Sequence, residues 1–167
     1  MPIYKNKNDN FFKKWTPEMA YILGYFAADG TMIKNKRGAH YIEFQSTDKE
    51  LIVGVKKALG SEHKIAAFFR NERWKKIYRI QIGSKEIFND LLGHGFMPNK
   101  SKVLTFPYVP DDYLSHFVRG YFDGDGNVNY CRYWRADRHK YYGSFQMHFI
   151  SGSKNFLLSL HKRLKYM

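Results

Sequence analysis

Apolar residues recur at three- and four-residue spacing in five stretches of the chain and alternate with polar ones in shorter stretches between them. In the first stretch, Met19, Ile22, Leu23 and Phe26 share one helical face. Thr16 is the predicted N-cap, Pro17 takes the first helical position and Glu18 places an acid in the first turn. Gly30 is expected to stop this helix in the left-handed conformation. A hairpin turn follows at Lys34-Asn35-Lys36-Arg37-Gly38, then a strand at Tyr41-Ile42-Glu43-Phe44-Gln45 and a helix capped by Asp48 that carries Leu51, Ile52, Val55 and Leu59. Residues 65–70 and 76–82 read as two strands about the turn Asn71-Glu72-Arg73. Ser84 caps a third helix through Ile87, Phe88, Leu91 and Leu92, closed by Gly93 or Gly95.

The turn-rich, basic stretch 98–110 reads as a linker, after which the pattern restarts. Asp111 or Asp112 is expected to cap a helix through Leu114, Phe117, Val118 and Phe122 that ends at Gly126. A strand, a long basic loop, a second strand (residues 145–150) and a helix (residues 154–164) complete the chain. The restart is an internal repeat. Ile22-Leu23-Gly24-Tyr25-Phe26-Ala27-Ala28-Asp29-Gly30 aligns with Val118-Arg119-Gly120-Tyr121-Phe122-Asp123-Gly124-Asp125-Gly126 at an offset of 96 residues. Phe44-Gln45-Ser46-Thr47-Asp48-Lys49 aligns with Phe149-Ile150-Ser151-Gly152-Ser153-Lys154 at an offset of 105, so the second copy holds nine extra residues in its first hairpin. The chain divides into a basic tail (1–14) expected to be loose, a first repeat (15–97), a linker (98–110) and a second, partial repeat (111–167). The second hairpin and last helix of the first copy have no counterpart in the second, which is therefore expected to be incomplete.

In each copy small residues lie four apart, Gly24 with Ala28 and Gly120 with Gly124, which lets two helix backbones approach along one seam. Packed so, the helices bring Asp29 and Asp125 together at their C-terminal ends. Two adjacent carboxylates repel unless a cation lies between them, and a hard divalent ion suits carboxylate oxygens.

Composition narrows the partner. Lys and Arg number 28 against 15 Asp and Glu, a net charge of +13, and 18% of residues are aromatic; such a balance points to a polyanion, nucleic acid above all. One cysteine, Cys131, excludes an internal disulfide framework and fits a reducing cytoplasm. No apolar run reaches the length of a membrane span, and the N-terminus lacks a signal-peptide core. Walker, dinucleotide and nucleophile-elbow sequences are absent, as is any pair among the seven histidines at helical metal-site spacing.

The two nonapeptides resemble the motif of LAGLIDADG homing endonucleases in the form that carries two motifs on one chain, and the resemblance extends over residues 17–167. It implies an α+β fold of pseudo-twofold αββαββα repeats, each presenting an antiparallel, saddle-shaped sheet to the major groove. It also implies site-specific hydrolysis of both strands of duplex DNA, leaving 5′ phosphate and 3′ hydroxyl ends, in the service of intron or intein mobility. Two or three Mg2+ ions are implied, held by Asp29 and Asp125. Double-stranded DNA is the implied partner and a monomer the implied state, with self-association open because the second repeat is incomplete. The location is expected to be the cytoplasm, or an organelle for an intron-encoded protein there. One departure is Ala27, where the family usually carries the acid that the second copy keeps as Asp123. Non-catalytic alternatives stay open on the same scaffold: a DNA-binding regulator or an RNA maturase that aids intron splicing. A basic RNA-binding structural protein would explain the charge but not the duplicated motif.

Other candidate residues follow from placement. Lys100, or in its stead Lys102, lies where the family places a lysine near the scissile phosphate. Asp48 and Ser153 match a position that orders water in the family and serve equally as plain N-caps. Gln45 can read a base edge from the outgoing strand. Arg70, Arg73, Lys75, Lys76 and Arg79 cluster about the second hairpin, and Arg132, Arg135, Arg138 and Lys140 in the long loop are expected to embrace the DNA backbone.

Overall fold

The computed structural model describes residues 5–166; Met1–Tyr4 of the tail and Met167 lie outside them. In chain order the elements are α1 (Pro17–Asp29), β1 (Thr31–Lys34), β2 (His40–Ser46), α2 (Lys49–Ala58), β3 (Ile65–Phe68), β4 (Ile77–Gly83), α3 (Lys85–Gly93), α4 (Asp111–Asp125), β5 (Gly126–Arg135), β6 (Lys140–Phe149) and α5 (Lys154–Lys165). Single 3-10 turns stand at Lys100–Lys102 and Ala136–Arg138. The architecture is α+β with antiparallel sheets: one of four strands in the order β1-β2-β4-β3, the other of two, β5-β6.

Most helix starts follow from single side chains. Thr16 accepts from the Met19 amide at 3.0 Å, Asp48 from Glu50 at 2.8 Å, Ser84 from Ile87 at 3.2 Å and Ser153 from Phe156 at 3.3 Å, each meeting a donor that the first turn leaves without a partner. The expected Asp cap on α4 does not form. Pro110 holds the cap position without a side-chain bond, and Asp111, already inside the first turn, takes the Arg163 guanidinium at 2.7 Å. Gly30 and Gly126 are also not left-handed. Both are extended (φ −76° and −87°), because a strand leaves the helix at once. Glycine is needed there for space: a Cβ would fall 2.1 Å from the Phe26 ring and 2.3 Å from the Phe122 ring.

The repeat is metric as well as sequential. Met32 pairs with Ile42 and Thr31 with Glu43; at the same offsets of 96 and 105, Val128 pairs with Met147 and Asn127 with His148. The nine extra residues do not form a long loop. They lengthen the second hairpin into two ten-residue strands, so that Arg132 and Arg135 belong to β5 and only residues 136–139 turn. Cross-strand aromatic contacts carry the extension, with ring centroids 4.9 Å apart for Tyr130–Phe145 and 5.0 Å for Trp134–Tyr141.

The core lies between the four-stranded sheet and the helices, where Met32, Ile42, Phe44, Ile80 and Ile82 meet Ile22, Phe26, Ile52, Ile87 and Leu91. Phe11 and Phe12 join it, and the Asn8 amide donates to the Leu59 carbonyl at 2.8 Å, so residues 5–14 are packed down where a loose tail was expected. Phe96, Leu104 and Val109 are buried too, which makes the stretch after α3 a strap across the core. Among the described residues no helix is long and apolar enough to cross a membrane.

Candidate functional site

The site begins with the seam. α1 and α4 touch backbone to backbone: a Cβ on Gly24 would lie 2.0 Å from the Phe117 carbonyl oxygen, and one on Gly120 would lie 1.9 Å from that of Tyr21. Gly124 faces Ala28, with its added Cβ 2.5 Å from the alanine methyl and 3.3 Å from an Asp29 carboxylate oxygen. No side chain larger than glycine fits at the two crossing points without a shift of backbone. Both helices end at the aspartate of their nonapeptide, so the seam carries Asp29 and Asp125 to one end of the pair.

The electrostatics there are strained. Burial, and after it the nearby Asp125 carboxylate, raises the Asp29 carboxyl to about 6, against an opposing pull from the Lys100 ammonium. Asp125 is also raised by burial, and Lys100 again opposes. Lys100 is itself 5% exposed, and burial lowers its ammonium to about 8 while the two aspartates pull it up. Its Nζ donates to the Ala27 carbonyl at 2.9 Å and lies 5.7 Å from the Phe26 ring centroid, closing the C-terminal end of α1. Left-handed Asn99 (φ +59°) turns the chain inward just before it. Lys102 is exposed. Of the two lysines, Lys100 is the one brought to the aspartates.

The donor set fits a hard divalent cation. Two carboxylates whose charges are disfavoured by burial, and at Asp29 by mutual repulsion, gain from a shared positive ion. Among the described residues no group of three or more His, Cys, Asp and Glu side chains encloses such an ion. Two carboxylates with the remaining positions left to water and phosphate oxygens is a common arrangement for magnesium.

Beside Asp29 opens a cleft of about 430 Å³ lined by Gln45, Asp48, Arg70, Asp123 and Gly124 among others. Asp48 therefore caps α2 and faces this cleft, whereas Ser153 is buried, donating to the Leu104 carbonyl at 2.6 Å. Ser153 is occupied as a structural cap. Arg79 leans on the Phe68 ring at 5.0 Å and pairs with Glu43 at 3.8 Å on the solvent face of the sheet. Arg73 and Lys75 stand exposed in the turn between β3 and β4, and Lys76 lies over the Phe69 ring at 5.5 Å. At the ribbon tip, Arg135 forms a two-pronged bond to Asp137 (2.8 and 3.0 Å), and Lys140 and Arg138 gather on Tyr142. Strand alternation puts Arg132 on the opposite face, over the Tyr141 ring at 4.6 Å.

Three tyrosine contacts were missed from the sequence. Tyr25 Oη donates to the Gln45 carbonyl at 3.2 Å and Tyr121 Oη to the Ile150 carbonyl at 2.6 Å, tying each motif helix to the end of the strand that returns beside it. The signal was present: a tyrosine recurs at one place in both nonapeptides, between the same glycine and phenylalanine. Tyr21 Oη donates to Asp123 at 2.7 Å across the seam, a contact whose partner position in the first motif is Ala27. That contact gives Asp123 a packing role.

Comparison with known proteins adds five findings. The model of a LAGLIDADG-like domain matches residues 16–94. The chain is 28% identical over 137 residues to an uncharacterised protein of Methanocaldococcus jannaschii, a match covering 74% of this chain and 46% of that protein. It is 26% identical over 115 residues to the DNA-directed RNA polymerase subunit Rpo1C of the same organism, covering 67% of this chain and 13% of the subunit. The chain thus spans less than half the length of either relative. In structure it is similar to the meganuclease I-SmaMI bound to uncleaveable DNA, with a TM-score of 0.59 at 10% identity over 90% of this chain and 72% of that one. A mutant of that meganuclease gives 0.58 at 12% identity over 91% and 73%. At such identities the likeness is one of fold.

Proposed function

We propose that this chain is a site-specific double-stranded DNA endonuclease, a reading supported by the match of residues 16–94 to the model of a LAGLIDADG-like domain and by the similarity of its fold to that of a DNA-bound meganuclease. The observation that carries the reading is the pair Asp29 and Asp125, delivered by two glycine-crossed helices to the same end of the seam, close enough for one carboxylate to act on the other. Those sheet faces and the basic tips lay the duplex across the helix ends, so that a phosphodiester meets the carboxylates. Asp29 and Asp125 are the residues that would hold Mg2+. When bound, the metal acts as a Lewis acid on phosphate oxygens and makes water a better nucleophile.

The remaining residues prepare that point. Lys100 holds the last turn of α1 through the Ala27 carbonyl and places a positive charge beneath both carboxylates. Tyr25 and Tyr121 fix each aspartate-bearing helix relative to its base-facing strand. Asp48 faces the cleft with free acceptor capacity for a water. The expected state with DNA is one chain per duplex.

The test is incubation of the full chain with a randomised duplex library and magnesium, with sequencing of the bound and the cut molecules. Cut products with 5′ phosphate ends that disappear with EDTA and with Asp29→Asn support the reading. Tight binding without cutting under every divalent ion would replace it with a DNA-binding regulator. Binding should also weaken with salt, with a slope near −0.9 in log K against log salt for each phosphate neutralised.

A further inference from the structure

The β5–β6 ribbon is divided along its length by charge. From Gly126 to Cys131 and from Tyr141 to Phe149 there is no Lys, Arg, Asp or Glu; the cations and Asp137 all lie at residues 132–140. A segment without cations adds little to phosphate binding. Its side chains are free for another task.

Which side chains those are follows from register. Val128, Met147 and Phe149 occupy the places of Met32, Ile42 and Phe44, which face the core in the first repeat, and Phe149 packs on the Phe122 ring at 5.4 Å. The opposite face therefore holds Asn127, Asn129, Gln146 and His148, with Asn129 directly across from Gln146 and Asn127 across from His148. All four are exposed. Among the described residues the Asn129 and Gln146 side chains have no hydrogen-bond partner, whereas on the same face of the first repeat Gln81 donates to Glu43 at 3.1 Å and Arg79 pairs with it. Asn129 is four residues beyond Asp125, about 13 Å along a strand.

We propose that Asn129 and Gln146 read adenines in the major groove of the half-site lying under the second repeat, a few base pairs from the cut. The proposal rests on the endonuclease reading for the presence of duplex DNA. The major groove admits a two-stranded ribbon, and a carboxamide offers one acceptor and a pair of donors that match the adenine N6 and N7 edge bidentately. Two such groups side by side, unpaired and without a neighbouring charge, select A·T pairs at neighbouring positions. The first repeat presents Arg79 and Glu43 at its corresponding face, the types that match guanine and cytosine. The two half-sites then differ in base composition.

The experiment is selection from a duplex library at fixed salt with the full chain, its Asn129→Ala and Gln146→Ala variants, and Gln146→Arg. Adenine should be enriched at two positions near the centre of one half-site. Each alanine variant should lose enrichment at one of them by on the order of 10- to 100-fold, and Gln146→Arg should exchange adenine for guanine there. Unchanged melting curves verify folding, since both side chains are exposed. Salt-sensitive duplex binding without this preference, or a preference that survives both alanine variants, overturns the adenine assignment and leaves the endonuclease reading intact. Absence of duplex binding at low salt overturns both.

Discussion

Met32, Ile42 and Phe44 of the first repeat are 3%, 0% and 0% exposed, while Val128 and Met147, at matching register in the second, are 53% and 64% exposed. The strands have the same alternation and the same partner register. The difference is what lies over them: β4 and α3 bring Ile80, Ile82, Ile87 and Leu91 onto the first sheet, and among the described residues the second sheet has only its two strands. Alternation thus determines which side of a strand is apolar, and neighbouring elements determine whether that side is dry. The seam behaves in the opposite way. Gly24 and Gly120 meet facing backbone at nearly equal distances, so the two copies are equivalent where they support the aspartates and unequal where they meet the rest of the fold.

The sharpest break in the comparison is chemical. On the proposed endonuclease reading, Asp29→Asn and Asp125→Asn are each expected to abolish double-strand cleavage while leaving duplex binding in place, because each removes one of the two carboxylates proposed to hold the metal. Cleavage of both strands by either variant at the wild-type rate, in a magnesium assay, would separate these residues from the chemistry. Asp29→Asn should also raise the stability of the metal-free protein at pH 8. The folded pKa of about 6 lies above the 3.8 of the free group, so the charged form costs stability that grows as pH rises from about 4 through 6 and levels off above that. With solvent screening the gain is about 1–2 kcal/mol, read by denaturation at pH 8 and expected to vanish near pH 4.

A core truncation asks the same question of packing. Ile42→Ala should cost about 2–5 kcal/mol, as for any fully buried aliphatic, whereas Met147→Ala at the matching position should change stability by less than about 0.5 kcal/mol. Equal losses in urea titrations would mean that the second sheet is covered in solution. The exposed row Val128, Tyr130, Phe145 and Met147 should also limit solubility, and Phe145→Asp is expected to reduce self-association in sedimentation without loss of melting temperature.

At the seam the copies should respond alike. Gly24→Ala and Gly120→Ala each drive a methyl into a carbonyl oxygen, at a cost of about 1–3 kcal/mol. A neutral result for one and not the other would place the crossing point elsewhere. The smallest expected effect is that of the paired tyrosines. Tyr25→Phe and Tyr121→Phe each remove one hydrogen bond to a strand carbonyl, worth about 0.5–1.5 kcal/mol. Because each bond ties an aspartate-bearing helix to a sheet, the cleavage rate should fall more than the stability loss explains.

Periodicity, caps and the duplicated nonapeptide were enough to read the order of helices and strands, the two-copy organisation, the small-residue seam and the pairing of Asp29 with Asp125, because each depends on spacing within a few turns of one element or on comparison of two like segments. Other features needed distant parts of the chain to meet. Lys100 rather than Lys102 reaches the aspartates because left-handed Asn99 turns it inward onto a carbonyl 73 residues earlier. Asp111 gives its carboxylate to Arg163, not to its own helix. The basic stretch expected to be a loop is a strand because Tyr130 and Trp134 find rings on the opposite strand, and residues 5–14 are held because Phe11 and Phe12 find a place in the core. Local sequence sets the angular preferences and the amphipathic faces. Whether a cation is buried, a tail is held or a strand is dry depends on the desolvation and packing supplied by residues far away along the chain, and that was decided by the tertiary structure.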